Sequence, residues 1–181
     1  MKIMIDAGHG PETAGKRSPD GRMREFHFNS PVADELKRQL TAAGHTAIFS
    51  HHPSHDVPLN ERIQLANRLK VDLFVSIHAN AFGAAFNSAN GIETYLYTQP
   101  QAASKRLGAS IHQALVLSTG RKDRGLKYAD FAVLRETKMP AVLVECGFMT
   151  NLQDLALLQS DAYRKRCARA IAFGIDCYQK G

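Results

Sequence analysis

Three polar side chains stand where apolar segments of the sequence end. His9 follows the first apolar segment through a glycine turn, His78 ends the central segment, and Glu145 ends the last one. If these segments are parallel strands, their carboxyl ends meet at one edge of a sheet, where open α/β sheets bind ligands. A carboxylate in the apolar setting of Glu145 is costly unless a cation compensates its charge.

This set of side chains suits a divalent metal ion. Two neutral imidazoles, one carboxylate and a water form a known set of catalytic zinc ligands. A metallohydrolase also needs a general base outside the ligand set. Four carboxylates are candidates for these two roles: Glu12, Glu25, Glu93 and Glu145. A lone histidine at a strand end is more often structural, so the metal hypothesis depends on the two histidines together with Glu145.

Other candidate groups carry weaker signals. His51, His52 and His55 lie in a proline-containing loop, and we expect them to point to solvent. The glycine-rich segment 6–10 lacks the spacing of a phosphate-binding loop. Cys146 has apolar neighbours, which raise the pKa of a thiol, so we expect a buried residue rather than a nucleophile.

Strands and helices that could position these residues alternate along the chain. Apolar segments predict six strands, at 2–6, 45–50, 71–79, 91–97, 131–135 and 140–146. Helical periodicity predicts a helix that ends at Ala43, helices at 58–69 and 100–118, a short helix from Asn151, and a final helix at 160–179. Short strand–helix–strand units require parallel pairing with right-handed crossovers, so the pattern indicates an α/β fold.

The first helix has two possible starting points. Ser30 and Pro31 are typical of an N-cap followed by proline at the first helical position. Alternatively, the helix begins nearer Glu25 and contains Pro31 as a kink. Before it, residues 10–28 are polar and irregular, and loops of that length are usually functional.

Composition limits the classes of protein to which the chain can belong. A length of 181 residues suits a single domain, 1–181. An apolar fraction of 44% excludes a disordered chain, and no apolar run approaches the roughly 20 residues that span a bilayer. The net charge of +6 favours a polyanionic partner or serves solubility alone. The three cysteines indicate reduced, mostly buried thiols, and no signal peptide is visible after Met1.

Several segments, taken in order, resemble motifs of the zinc-dependent N-acetylmuramoyl-L-alanine amidases of the type 3 family. The resemblance rests on MIDAGHGPETAG, GRMREFHFN, VPLNERIQLAN, DLFVSIHANA and RGLKYADFAVLRETKMPAVLVECGFMTN, which together span about residues 2–151. The family's fold implies a twisted, mostly parallel central sheet of about six strands flanked by helices on both faces. Its reaction is hydrolysis of the amide between the lactyl group of N-acetylmuramic acid and L-alanine of peptidoglycan.

The resemblance also assigns roles to residues. It implies one Zn²⁺ per chain, held by His9, Glu25 and His78, with Glu145 as the catalytic carboxylate. Zinc would lower the pKa of a water, and Glu145 would carry the water proton to the leaving nitrogen. We expect substrate contacts from Asn80 and from a further residue of the last motif, Lys127.

The expected setting follows from the same resemblance. We expect peptidoglycan as substrate, anionic wall polymers as possible partners, no nucleic acid, no membrane insertion and a monomer. The protein would be made in the cytoplasm and act on the cell wall, in phage lysis or mother-cell lysis, or as the excised domain of a secreted autolysin. The loop at 80–90 carries no predicted helix, whereas some family members insert an autoinhibitory helix in this region, so we expect an open groove.

Two functions of other classes stay open. A zinc peptidase of similar topology would often hold two metal ions, and the sequence offers ligands for one. A non-catalytic wall-binding domain would have no need for a buried carboxylate at Glu145. Metal analysis together with product analysis on wall fragments separates these alternatives.

Overall fold

A computed structural model describes residues 1–13 and 15–181 of the chain. Its strands and helices follow one another in this order: β1 (Lys2–Ala7), α1 (Phe26–Ala42), β2 (Thr46–Phe49), α2 (Leu59–Leu69), β3 (Leu73–Asn80), β4 (Ile92–Leu96), α3 (Ala102–Thr119), β5 (Asp123–Tyr128), α4 (Ala132–Arg135), β6 (Ala141–Phe148), α5 (Leu152–Leu158) and α6 (Asp161–Lys180). The alternation confirms the predicted α/β fold.

The six strands form one mostly parallel sheet in the order β2-β1-β3-β6-β4-β5. The first four strands of that order run parallel, β4 pairs with β6 in the antiparallel sense, and β5 is parallel to β4. The carboxyl ends of β1, β3 and β6 therefore meet at one edge, as predicted. Because β4 runs the other way, its amino end reaches the same edge and places Glu93 opposite Glu145.

Helices cover both faces of this sheet. One core contains inward residues of α1, α3, α5 and α6, and the other contains those of α2 and α4. Along β6, Val142 and Val144 belong to the first core, whereas Leu143 belongs to the second. Side chains alternate across a strand, so Glu145 shares a face with Leu143, on the side of α2 and α4.

The strand predicted at 131–135 is wrong. Residues 132–135 form the helical turn α4, in which the Leu134 and Arg135 amides bond the Phe131 carbonyl, both at 2.9 Å. The strand that completes the sheet in its place is β5, which the sequence did not predict because the segment has little apolar patterning. A short apolar run bounded by turns fits a strand or a buried helical turn equally well, and the edge position of β5 relaxes the need for apolar residues.

Of the two possible starts for the first helix, the earlier one is correct. α1 begins at Phe26 with Glu25 as its N-cap residue, and Pro31 lies inside the helix. Proline has no N–H, so it cannot bond the carbonyl of His27, which lies on an exposed residue that water reaches. The irregular segment predicted at 10–28 thus ends at residue 25, and its residue 14 lies outside the described residues.

Three further predictions concern the cysteines, membrane-spanning helices and the loop after β3. Cys146 and Cys167 are buried, Cys177 is exposed, and all three are free thiols, in agreement with the sequence. Within residues 1–13 and 15–181, no helix has the length and hydropathy of a membrane span. Residues 81–91 contain no helix, also as predicted.

Candidate metal centre and adjoining groove

Three residues that are distant in sequence converge at the carboxyl edge of the sheet. His9 follows β1, Glu25 precedes α1, and His78 lies near the end of β3. One ligand atom from each residue lies within 4.8 Å of the other two. Oε2 of Glu25 is 3.0 Å from Nε2 of His9, and Oε1 is 2.9 Å from Nδ1 of His78. The structure therefore brings together the three residues to which the resemblance assigned a ligand role.

Glycines allow this close approach around His9. The backbone of His9 has φ +63, in the left-handed region that non-glycine residues rarely adopt. A Cβ on Gly8 would overlap the ring of His78, and a Cβ on Gly10 would overlap the carboxylate of Asp56. The AGHG turn is thus required by contacts with two other parts of the chain.

A buried ion pair holds the turn in place. Arg62 donates to Asp6 Oδ1 at 2.8 Å, to the Ala7 carbonyl at 2.6 Å, and to the carbonyl of His9. Arg62 and Asp6 are 2% and 1% exposed, respectively. Burial opposes ionisation of Asp6, but Arg62 and hydrogen bonds from two serines outweigh it and keep the pKa of Asp6 below its usual range.

The same aspartate also orients a predicted metal ligand. Ser76 donates its hydroxyl to Asp6 Oδ2 at 2.5 Å and lies 3.0 Å from Nε2 of His78. A partner on one imidazole nitrogen fixes which nitrogen faces the centre. Sequence analysis gave Arg62 and Asp6 no role, although an arginine on the inward face of an amphipathic helix was a usable signal.

The Glu25 carboxylate is held in its charged form. Burial raises its pKa, but the hydrogen bonds and charges of His78 and His9 exceed that effect, so the pKa of Glu25 falls below its usual range. The hydrogen bond to Glu25 correspondingly raises the pKa of His9. Glu25 makes no side-chain cap bond to α1, so its carboxylate remains directed to the histidines.

Glu145 has a different environment. It is 9% exposed, and its Oε2 has no hydrogen-bond partner within the described part of the chain. Burial, followed by the charges of Glu25 and Glu93, raises the pKa of Glu145 well above its usual range. An unpaired buried carboxylate at a strand end is typical of a functional group rather than a structural one.

Glu93, by contrast, is fully bonded. Arg124 Nε donates to its Oε1 at 2.6 Å, while the Tyr95 hydroxyl and the Asn80 amide donate to its Oε2 at 2.9 and 3.1 Å. Glu93 was one of four candidate carboxylates in the sequence. Its contacts indicate a structural support beside Glu145, and Glu12, the remaining candidate, is exposed.

A cavity of about 650 Å³ adjoins these groups. Its described lining includes the three predicted ligands, Glu145 and the predicted substrate contact Asn80. The other predicted contact, Lys127, lies on β5 opposite Tyr95 and is outside that lining. Tyr95 and Phe131, which the sequence did not single out, do line the cavity.

The expectation for the histidine-rich loop is only partly correct. His52 and His55 are exposed and stack with ring centroids 4.0 Å apart, as expected for solvent-facing residues. His51 is instead buried, and its Nδ1 accepts the Ala7 N–H at 3.1 Å. Burial lowers the pKa of His51 to about 4. It lies two residues after the end of β2 and packs beneath the turn that carries His9.

The fold and the site define a class: an α/β domain with a His–Glu–His cluster and the buried carboxylate of Glu145 at one sheet edge. Sequence comparison is more specific. The profile described as N-acetylmuramoyl-L-alanine amidase matches residues 3–177. The chain belongs to the N-acetylmuramoyl-L-alanine amidase family.

Individual relatives agree with this assignment. The chain is 38% identical over 179 residues to the amidase LytC of Bacillus subtilis, covering 98% of this chain and 35% of LytC. It is 36% identical over 180 residues to the endolysin of Bacillus phage SPP1, covering 96% of this chain and 64% of the endolysin. The chain thus spans only part of these curated relatives.

Solved structures show the same fold. The catalytic domain of the amidase CwlV from Bacillus (Paenibacillus) polymyxa var. colistinus superposes with a TM-score of 0.91 at 34% identity, covering 99% of this chain and 98% of that one. An N-acetylmuramoyl-L-alanine amidase from Clostridium difficile 630 gives a TM-score of 0.94 at 31% identity, with coverages of 99% and 97%.

Proposed function

We propose that this chain is the catalytic domain of a zinc-dependent N-acetylmuramoyl-L-alanine amidase. It hydrolyses the amide between the lactyl group of N-acetylmuramic acid and L-alanine in peptidoglycan. Family membership supports the reaction. The observation that carries the metal dependence is the convergence of His9, Glu25 and His78 beside Glu145, whose Oε2 has no hydrogen-bond partner among the described residues.

The donor set fits one zinc ion. Two imidazole nitrogens and one carboxylate oxygen within 4.8 Å of one another match a three-ligand catalytic site with an open fourth position. Ser76 occupies the other nitrogen of His78, as is usual for histidine ligands of metals. When bound, zinc supplies a Lewis acid that lowers the pKa of water and polarises a carbonyl.

Glu145 performs the proton transfers in this proposal. Its Oε2 has no competing partner among the described residues, so it can accept a proton from the attacking water. The protonated Glu145 then gives its proton to the amide nitrogen of L-alanine as the C–N bond breaks. The neighbouring carboxylate, Glu93 on β4, accepts hydrogen bonds from Arg124, Tyr95 and Asn80. It therefore has a structural role, and proton transfer is left to Glu145.

The remaining parts of the proposal concern substrate and setting. Asn80 lines the cavity, which supports its predicted contact with substrate, whereas Lys127 stays a prediction. We propose that residues 1–181 act as one monomeric domain on the cell wall, as the names of the endolysin and of the sporulation-specific amidase of Bacillus subtilis suggest for those relatives. Anionic wall polymers are further partners that the net charge of +6 would favour.

Two isosteric substitutions test the assigned roles. Glu145→Gln removes the base but keeps its size, so zinc content should persist while kcat falls about 10²–10⁴-fold. Glu25→Gln removes a charged ligand, so zinc content should fall, with partial recovery of activity in excess zinc. The measurements are elemental analysis and turnover of a purified muropeptide, with product identification.

A control substitution at an exposed glutamate accompanies these two variants. Glu61→Gln changes an exposed carboxylate of α2 and should alter neither quantity. Loss of zinc from Glu145→Gln, or full turnover by it, would show that Glu145 is a ligand or a structural residue. Cleavage of ordinary peptides in preference to muropeptides would favour the peptidase alternative.

A further inference from the structure

The segment before Glu25 is a short hairpin with an excess of positive charge. We call residues 16–24, which lie between β1 and α1, the cationic hairpin. Its single carboxylate, Asp20, is already bonded by the Ser18 hydroxyl at 2.5 Å and by the Arg22 N–H at 3.1 Å. Its four cationic side chains are those of Lys16, Arg17, Arg22 and Arg24. Four cations and one carboxylate give the hairpin a net charge of +3, half of the +6 of the whole chain.

Backbone bonds place two of these cations, Arg17 and Arg24, face to face. The two residues form an antiparallel bridge. The residue after Arg17 donates its N–H to the carbonyl of the residue before Arg24 at 2.8 Å, and a second bond of 3.3 Å lies on the other side of the pair. Arg17 and Arg24 are therefore a non-hydrogen-bonded pair. In such pairs the Cα atoms are only about 4.5 Å apart, and both side chains stand on the same face.

The other face of the hairpin is anchored in the protein. Ser18 and Met23 are each 1% exposed, and the Ser18 hydroxyl accepts the Met23 N–H at 3.0 Å. Because side chains alternate across a strand, Arg17 and Arg24 stand on the opposite face, and Arg17 is exposed. The buried face thus holds the hairpin in place while the arginine pair faces solvent.

This arrangement of the arginine pair costs stability in the free protein. Like charges directly opposite each other on neighbouring strands are destabilising. Arg24 Nη1 donates to the Pro11 carbonyl at 3.3 Å, which is an uncharged acceptor. Among the described residues, the ion pair of this segment joins Arg22 to Asp20 at 4.0 Å, and neither Arg17 nor Arg24 has a carboxylate partner. Charges that serve solubility alone need no such juxtaposition, so the pair indicates an anionic ligand that removes the repulsion.

The chemistry of the hairpin favours phosphate groups on a polymer. The planar guanidinium group matches the oxygens of a phosphate with two parallel hydrogen bonds. Exposed ion pairs are weak one by one, so a ligand with repeated charges gains most from this surface. A third arginine, Arg22, has a side chain that is 81% exposed at the turn. Residues 16–24 contain no aromatic ring on which a nucleic-acid base could stack.

Because the proposed function places the chain at the cell wall, we propose that the cationic hairpin binds a phosphodiester polymer attached to that wall. Arg17 and Arg24 together receive one phosphate, and Arg22 receives another. Lys16 lines the cavity and belongs to that site instead. The hairpin leads directly to Glu25, so a domain bound in this way keeps its metal centre close to the wall surface.

Binding to two wall preparations tests the proposal. One preparation keeps its phosphodiester polymer, and the other has lost it through cleavage with hydrofluoric acid. We expect Arg17→Gln combined with Arg24→Gln to raise Kd for intact walls about three- to thirtyfold and to leave Kd for stripped walls unchanged. Soluble poly(glycerol phosphate) should show the same loss in calorimetry. The salt dependence of that binding should become shallower, because fewer phosphate contacts remain.

A matched pair of substitutions on α6 controls for net charge. Arg166→Gln combined with Arg169→Gln removes the same charge from two exposed arginines and should change Kd by less than about twofold, because distant charges are screened. Arg17→Gln alone should weaken binding without lowering the melting temperature of the free domain, because it removes a repulsion. An arginine that only supports the fold would lower that temperature when replaced.

Several results would overturn the proposal. Equal losses in the hairpin and α6 double variants would show that net charge alone attracts the chain to the wall. Equal wild-type binding to intact and stripped walls would exclude phosphate as the ligand. Tighter binding to single-stranded DNA than to poly(glycerol phosphate) would indicate a nucleic-acid partner. Turnover of a soluble muropeptide without phosphate tests the proposed function separately, since a zinc-loaded wild-type chain that fails to cleave it would overturn that function and leave the binding results intact.

Discussion

The strongest single test of the architecture is the substitution Arg62→Met. The methionine fills similar volume, but Asp6 then remains as a buried charge, bonded only by Ser50 and Ser76. The carbonyls of Ala7 and His9 also lose their donor. Removal of one partner from a buried ion pair typically costs about 3–5 kcal/mol. The free energy of unfolding of such domains is only about 5–15 kcal/mol, so the variant should be strongly destabilised.

We expect Arg62→Met to weaken zinc binding as well as the fold. The left-handed backbone of His9 is strained, and the bond from Arg62 to its carbonyl helps to hold it. Without that bond we expect zinc affinity to fall about 10- to 100-fold, the usual effect of losing a group that orients a ligand. Urea denaturation with and without zinc measures the stability, and competition with a chelating dye measures the affinity.

Two further variants serve as controls for the effect of Arg62→Met. Arg68→Met removes an exposed arginine of the same helix and should change the unfolding free energy by less than about 0.5 kcal/mol. The double variant Asp6→Asn with Arg62→Met leaves no uncompensated charge, so it should recover part of the lost stability. An Arg62→Met variant that unfolds at the wild-type urea concentration and keeps its zinc affinity would show that the ion pair supports neither the fold nor the site.

Four other predictions follow from the structure. Gly8→Ala should abolish zinc binding, measured by elemental analysis, because its Cβ would overlap His78. Glu93→Gln should lower kcat more than it raises KM in muropeptide assays, because three donors lose a charged acceptor beside Glu145. The stability advantage of wild type over Asp6→Asn should shrink as pH falls below about 4 in urea titrations, because a group whose pKa is lowered on folding contributes fully above its unfolded pKa and loses that contribution as pH falls towards its folded pKa. Added salt should weaken binding to purified walls, because the net charge is +6.

The edge of the sheet that carries the site was predictable from the sequence. Its three central strands are long apolar segments, and each is followed or ended by a polar residue that the fold does not otherwise require: His9, His78 and Glu145. Parallel pairing alone then places these residues together. The third proposed ligand was not predictable in this way, because four carboxylates were candidates and two starting points were possible for α1, so only the resemblance favoured Glu25.

The parts that sequence analysis missed depend on contacts between distant segments. Phe131 and its neighbours have too few residues to show a period, so their helical turn was assigned as a strand. His51 is buried because the turn after β1 lies over it, which no local pattern reveals. The pairing of Arg62 with Asp6 joins residues 56 positions apart, and local propensity carries no information about such a partner.

The order of the strands also has a consequence for synthesis. β6 lies in the middle of the sheet, between β3 and β4, yet it is the last strand to be translated. A ribosome-bound chain that lacks β6 leaves one edge of β3 unpaired, because β3 then pairs with β1 alone, and it has no Glu145. Pairing between segments so far apart in sequence forms late in folding. With the role proposed for Glu145, the nascent domain would have no hydrolytic activity until β6 has left the ribosome.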